Sequence, residues 1–443
     1  MNESEELRHP LVVARRQRGW SQEKLAALLR SCGLGTVRKT VTRWERDVVP
    51  DSAAQSALRK LFGVAPETAQ RLGWPKWLPT GRIAAVADSW DHQGAVSALS
   101  DVVEVVLVDR RGFLVLTGAE LVLPVYEWRL NPGPWAAYQD DGGSQVSVAL
   151  VEDLEQLVSI RRRMDDEHGG EPLLELLHAD LRFVVDLLKH RSYNEDTGRR
   201  LYGVAGEVAR LAGWVASDSD RHAAAQQYYL AALRASAAVG DRASGVNIVG
   251  QMGIQAYSTG RISDATQLMN VAVTEAKAAP AIVQALARAR AGLAYAKAGN
   301  APAVRQALND ANRSWDRAVD GDTPTWAYWV DQTRITSTAG LSLFYLEDYP
   351  GATRELAAAL EAYGDSYPRD RAFLLGQIAT AQLRAGNIEA GCESGRTAVD
   401  LLAGQVHSDR ASTVLKEFRQ ELSAYKNTEA AREFAAYSSA RLE

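Results

Sequence analysis

Apolar residues recur at helical spacing along the chain, in short blocks near the N-terminus and in longer ones further on. In "HPLVVARRQRGW", Leu11, Val12 and Ala14 precede Arg15, Arg16 and Arg18, which predicts a short helix ending at Gly19 with cations suited to its C-terminal end. Ser21 is the expected cap of a second helix, "SQEKLAALLR", with Leu25, Leu28 and Leu29 on one face. After "SCGLG", Thr36 is the expected cap of a third. There Val37, Val41 and Trp44 share an inward face, and Arg38, Lys39, Thr42, Arg43 and Arg46 share the outward one. Pro50 stops the chain, and "DSAAQSALRKLFGV" predicts another helix with Leu58, Leu61 and Phe62 inward.

"RLGWPKWLP", 71–79, reads as an ordered linker in which Trp74 and Trp77 clamp the head to the body. "NPGPW" and "DDGGSQ" mark loops. "VSVALVEDLEQLVSIRRRMDDE" and "EPLLELLHADLRFVVDLLKH" have helical periodicity, and Asp165, Asp166, Glu167, His168 and Glu171 between them fit helix ends better than a metal site. From about residue 200 the chain is rich in Ala and repeats one layout: a helix end, a turn with Gly or an acid, then a second helix with small residues. Gly213, Gly253, Gly292, Gly340 and Ala379 occupy one register, separated by 40, 39, 48 and 39 residues. Small residues there let paired helices approach closely. The expected fold class is all-α.

Length and charge sharpen this division. A chain of 443 residues suggests two or three folded units, and 46% hydrophobic content excludes wholesale disorder. Leu7 to Phe62 holds twelve Lys or Arg against four Asp or Glu, a balance of +8; the total is −5, so the rest carries −13. A basic head that meets polyanions and an acidic body that avoids them explain the asymmetry. Cys32 and Cys392, 360 positions apart, make no metal-ligand spacing and no disulfide framework, which fits a reducing cytoplasm. No signal region and no membrane span are expected. "DRRGFLVLTGAELVLP", 109–124, has the look of a twin-arginine export signal, but its position deep in the chain makes it buried structure instead.

"WSQEKLAALL", "GTVRKTVTRWERD", Pro50 and "LRKLFGV" resemble the Cro/cI-type helix-turn-helix, the Xre family, over about residues 8–64. The resemblance implies a five-helix DNA-binding domain over 1–66, followed by the Trp/Pro linker over 67–80. In it Gln22 would touch a DNA phosphate, and Arg38, Lys39, Thr40 and Arg43 would reach the major groove from the recognition helix. Thr42 and Arg46 belong to the stretch that matches the family's usual end of that helix. Arg and Lys there can pair with guanine O6 and N7, and the other cations neutralise phosphates. The turn before the helix is about five residues longer than the family's tight version, and Val37 stands at the usual Ser or Thr cap position.

The repeats resemble the tetratricopeptide repeat, with longer helices than its standard unit. An α-solenoid over 200–443 is expected after a helical connecting region over 81–199. The first helix of each pair would line a concave side. The repeat's groove-facing offsets fall on Glu207, Arg210, Trp214, Asn247, Tyr257, Arg334, Ser337 and Phe344. Around Gly292 they fall on Leu286 and Ala289, with Arg290 and Lys297 at the edge of that stripe. Of these, Arg210, Trp214, Asn247, Tyr257, Arg290, Arg334 and Phe344 are the expected effector contacts, for a peptide or a small anion.

An enzyme is not expected. The chain has no G-x-x-x-x-G-K-[ST], H-E-x-x-H or G-x-S-x-G; in "GNIEAGCESG" Cys392 stands where a phosphate-binding Lys is needed. No cofactor or metal is expected. Joined, the two modules resemble the peptide-responsive regulators of Gram-positive bacteria, in their actinobacterial versions. That implies a cytoplasmic homodimer that binds double-stranded operator DNA and senses an effector through its repeats. The alternative is a regulator whose repeats dock a protein partner or serve only for dimerisation. A third class is a scaffold whose basic head binds protein or RNA.

Overall fold

The structure is a computed structural model of the chain. It describes residues 9–17, 20–46, 48–62, 64, 69–70, 73–75, 77–78, 89–105, 115–131, 144–167, 170–319, 321–404, 406 and 408–442, without the side chains of 13, 16, 17, 105 and 171. The described residues form α-helices joined by turns and short 3-10 segments, with no β-strand among them. The chain divides into two compact units: residues 1–88 with 101–116, and residues 89–100 with 117–443.

In the first unit, α1 (Pro10–Gln17), α2 (Gln22–Ser31), α3 (Arg38–Trp44) and α4 (Ser52–Phe62) surround one core. A fifth helix of the head would fall on residues that are largely outside those described. Ser21 caps α2 as its sequence demands, Oγ accepting from the Lys24 amide at 3.0 Å. The cap of α3 is Val37 rather than Thr36, and it makes no side-chain bond. Val37 is also 53% exposed, not inward, because its extended backbone (φ −115°, ψ 163°) precedes the helix whose periodicity would turn it in. Val41 and Trp44 are buried as expected, with Leu25, Leu29, Leu58 and Phe62. Trp74 and Trp77 meet edge to face at 5.6 Å and pack into this same core.

In the second unit, α5 (His92–Val105) contributes its first part, followed by α6 (Ala119–Leu130), α7 (Val148–Glu167) and α8 (Glu171–His190). The apolar end of the tract at 109–124 becomes the start of α6, where Leu121 and Val122 are buried; its residues 109–114 lie outside those described. Helical hairpins then follow: α9 (Glu195–Asp218) with α10 (His222–Ala238), α11 (Arg242–Ser258) with α12 (Ile262–Glu275), and α13 (Ala281–Lys297) with α14 (Ala301–Trp315). Next come α15 (Gln332–Tyr345) with α16 (Tyr349–Tyr363) and α17 (Pro368–Arg384) with α18 (Ile388–Ala403). Last come α19 (Asp409–Leu422) and α20 (Glu429–Leu442), which pack on α17 and α18.

The glycine register sets how closely each hairpin closes. A Cβ on Gly213 would lie 2.7 Å from the Tyr229 ring, one on Gly253 2.7 Å from Met269, one on Gly292 3.3 Å from Leu308, and one on Gly340 2.8 Å from Leu356. In all four the partner stands sixteen residues further along, so one geometry repeats. The wide 48-residue interval has a place too. Residues 316–331 insert a long connection between α14 and α15, with a 3-10 turn at Thr325–Ala327 and a buried Trp326.

Candidate functional site

Two places in the chain gather chemistry, one in each unit. In the first unit, α3 stands on Val41 and Trp44 and turns its other face outward. Arg38, Lys39 and Arg43 are exposed there, as is Arg46 in the turn after the helix; Thr40 and Thr42 are half-buried. No described carboxylate pairs with any of the four cations. Gln22, at the start of α2, is oriented by three contacts. Its Oε1 accepts from Arg38 Nε at 3.3 Å and Thr42 Oγ1 at 3.2 Å, and its Nε2 donates to Glu45 Oε2 at 2.5 Å. Glu45 is anchored in turn by Arg15 Nε at 2.6 Å. The face therefore offers a row of hydrogen-bond donors and positive charge backed by a rigid apolar layer.

In the second unit, the first helices of the hairpins converge on a cavity of about 150 Å³. Each helix supplies side chains three to four residues apart: Arg210 and Trp214 from α9, Gln251, Ile254 and Tyr257 from α11, Leu286, Arg290 and Leu293 from α13, and Arg334, Thr338 and Leu341 from α15. Tyr328 and Trp329 enter from the inserted connection, Arg162, Asp165 and Asp166 from the end of α7, and Arg410 from α19.

Most of these charges are paired. Asp165 binds Arg369 at 2.7 Å; Asp218 lies 3.7 Å from Arg369 and 3.5 Å from Arg410; Asp370 binds Arg410 at 3.1 Å and Arg334 at 2.7 Å. Burial opposes ionisation of Asp370, but Arg334 and Arg410 outweigh it and hold its carboxyl well below the usual range. Glu207 binds both Arg162 and Arg210 at 2.8 Å. Against its own burial these cations hold it ionised.

Arg290 differs. Its Nη1 donates to Asn247 Oδ1 at 2.9 Å and Asn247 O at 3.4 Å, and no described carboxylate pairs with it. It is 8% exposed, and burial, with Arg334 and Arg210 nearby, pushes its pKa down to about 9. Space for the guanidinium comes from Gly250, on which a Cβ would lie 2.8 Å from Arg290 Nη1. Asp166, hydrogen-bonded by the Tyr328 hydroxyl, is pushed up to about 6, first by burial and further by Asp165 and Asp370. No group of described His, Cys, Asp and Glu residues is arranged to hold a metal ion.

Of the expected effector contacts, Arg210, Trp214, Tyr257 and Arg334 from the repeat offsets and Arg290 from the edge of the stripe line this one cavity, as do the offset positions Ser337 and Leu286. Asn247 does not reach it: it is 1% exposed and serves Arg290 from behind. Glu207 likewise orients Arg210 and Arg162. Phe344 lies outside the cavity lining; it sits in a separate aromatic cluster with Tyr345 and Tyr349, 5.3 and 5.9 Å away. Lys297 sits over the rings of Tyr345 and Tyr257 at 3.8 and 5.3 Å. The offsets did not reach Asp165, Asp166, Trp329, Arg369 or Arg410, because these come from outside the repeat register. The 48-residue interval was the signal for Trp329; Asp165 and Arg369, 204 positions apart, left none. No protein-family model matches the chain, and no curated protein matches it.

Proposed function

We propose that the chain is a sequence-specific DNA-binding transcriptional regulator of the Cro/cI-type helix-turn-helix class, with a tetratricopeptide-like body that senses a small effector. The supporting observation is the outward side of α3 and the turn after it, where Arg38, Lys39, Arg43 and Arg46 are all exposed above a buried Val41 and Trp44. A short helix with this division suits the major groove: no described carboxylate pairs with its cations, and it has a floor that fixes their spacing. Gln22, oriented by Arg38, Thr42 and Glu45, is suited to a backbone phosphate at the helix edge. One such helix reads few base pairs, so the protein binds operator DNA as a two-fold homodimer in the cytoplasm. The cavity of the second unit is the effector site. Its five expected side chains, from four different helices, answer to one ligand.

Selection of bound duplexes from a random-sequence library tests the reading. Enrichment of a defined two-fold site by the wild-type chain, lost in Arg43→Ala, is the expected result. Retention of random DNA without enrichment, or no retention at all, would overturn it.

A further inference from the structure

The charge balance of the cavity defines what it can hold. Six guanidinium groups, of Arg162, Arg210, Arg290, Arg334, Arg369 and Arg410, line it. Four carboxylates pair with them: Glu207, Asp165, Asp218 and Asp370. Two positive charges are left in excess, and Asp166 offsets one when ionised. A lone buried cation is costly, and a bound anion relieves that cost. The excess is localised at Arg290, whose neighbours are an amide and a ring: Asn247 behind it and Trp329 with its centroid 5.5 Å away.

Three further observations point into the same space. Gln251 is 4% exposed, lines the cavity, and its Oε1 is buried with no hydrogen-bond partner among the described residues. Arg334 has a buried Nε with no hydrogen-bond partner among the described residues, and its guanidinium lies over the same Trp329 ring at 5.2 Å. The walls between these polar atoms are aromatic: Trp214, Tyr257, Trp329 and Phe373. Finally, a cavity of about 150 Å³ is the size that accepts a single six-membered ring. It is too small to enclose a peptide of several residues.

The geometry points to a small aromatic monocarboxylate as the ligand of this cavity, its carboxylate on Arg290 and its ring among Trp214, Tyr257 and Trp329. The assignment rests on the effector reading above and narrows it. Arg290 supplies the charge-assisted contact, Gln251 Oε1 accepts from a donor on the ligand, and the aromatic walls replace water around the ring. The single guanidinium without a described carboxylate partner, that of Arg290, selects a monoanion over a dianion. A peptide of several residues would have to extend beyond this space, and Asn247 Oδ1 is already engaged by Arg290.

The full chain, without DNA, is titrated with benzoate, phenylacetate, phenyl phosphate and benzylamine, followed by calorimetry. Saturable binding of at least one of the two carboxylates, tighter than phenyl phosphate and with no binding of benzylamine, is expected. Arg290→Met should weaken it roughly 10- to 100-fold. Gly250→Ala keeps every charge but displaces the guanidinium, and should weaken it comparably while circular dichroism stays unchanged. Binding of neither carboxylate at millimolar concentration, equal binding of benzylamine, or unaltered affinity in a folded Gly250→Ala chain would overturn the assignment. Operator affinity is then measured with the bound carboxylate present. A ligand that binds through Arg290 without altering operator affinity upholds the ligand class and overturns only its role as effector.

Discussion

Arg15 and Glu45 form an ion pair at 2.6 Å with both side chains at least nine-tenths buried, joining α1 to the end of α3. Glu45 spends its other oxygen on Gln22. One carboxylate thus fixes both the tilt of the outward-facing helix and the amide beside it. Glu45→Ala leaves a buried cation unpaired, which typically costs about 3–5 kcal/mol. The expected outcome is a large drop in the head's unfolding midpoint in urea, read from amide exchange in α1–α4, with the body unchanged.

Lys39→Ala and Arg43→Ala remove exposed side chains that support no core residue. Each is expected to weaken specific DNA binding by about 1–3 kcal/mol if it reaches a base. Gln22→Ala should weaken specific and random duplexes alike. Electrophoretic retardation at one fixed salt concentration distinguishes the two patterns, and equal affinity of Arg43→Ala and wild type for the enriched site removes α3 from the groove.

The glycine register predicts unequal costs for one substitution. Gly→Ala inside a helix gains about 0.5–1 kcal/mol from backbone entropy. At Gly213 the new methyl meets the ring of Tyr229, which is fully buried and cannot move, so overpacking of about 1–3 kcal/mol dominates. At Gly292 it meets the tip of Leu308 at 3.3 Å, a half-buried and flexible side chain. Thermal melts should place Gly213→Ala below wild type and Gly292→Ala at or above it.

Asp166 gives the cavity a pH response. Its folded pKa of about 6 lies above the ordinary 3.8, so ionisation is resisted. The stability it contributes is full below the ordinary value and declines as pH rises toward about 6. Tyr328, Asp165, Asp370 and Arg369 are the groups that set this value. For an anionic ligand the sign is the same: affinity should rise as pH falls through about 6, provided the ligand itself stays ionised. Asp166→Asn should bind at least as tightly at pH 7 and lose that dependence, as titration calorimetry at several pH values would record.

The sequence made the local geometry legible and the closure illegible. Ser21, Val41, Trp44 and the four register glycines act through neighbours a few turns away, so spacing alone locates them. Arg210, Trp214, Tyr257 and Arg334, which line the cavity, followed from the same periodicity. Phe344 lies outside the cavity lining because, near the end of α15, its ring packs on Tyr345 and Tyr349. Arg290 reads as an edge cation beside Ala289; only Gly250, forty positions earlier, reveals that its guanidinium is received into the interior. The acids that face it from α7 have no periodic relation to the hairpins.

The pair Asp165–Arg369 bridges 204 residues, whereas each hairpin is held by contacts sixteen residues apart. Helical arrays built only from neighbour contacts can gain or lose a unit at modest cost. This one cannot. The end of α7 reaches across to α17, so the distance between them measures the accumulated turn of every hairpin in between. Adding or deleting one hairpin between α9 and α14 would carry Arg369 and Asp370, together with Arg334 and Trp329, away from Asp165. The closing pair therefore counts the repeats, and fixes how many the chain can carry between α7 and α17.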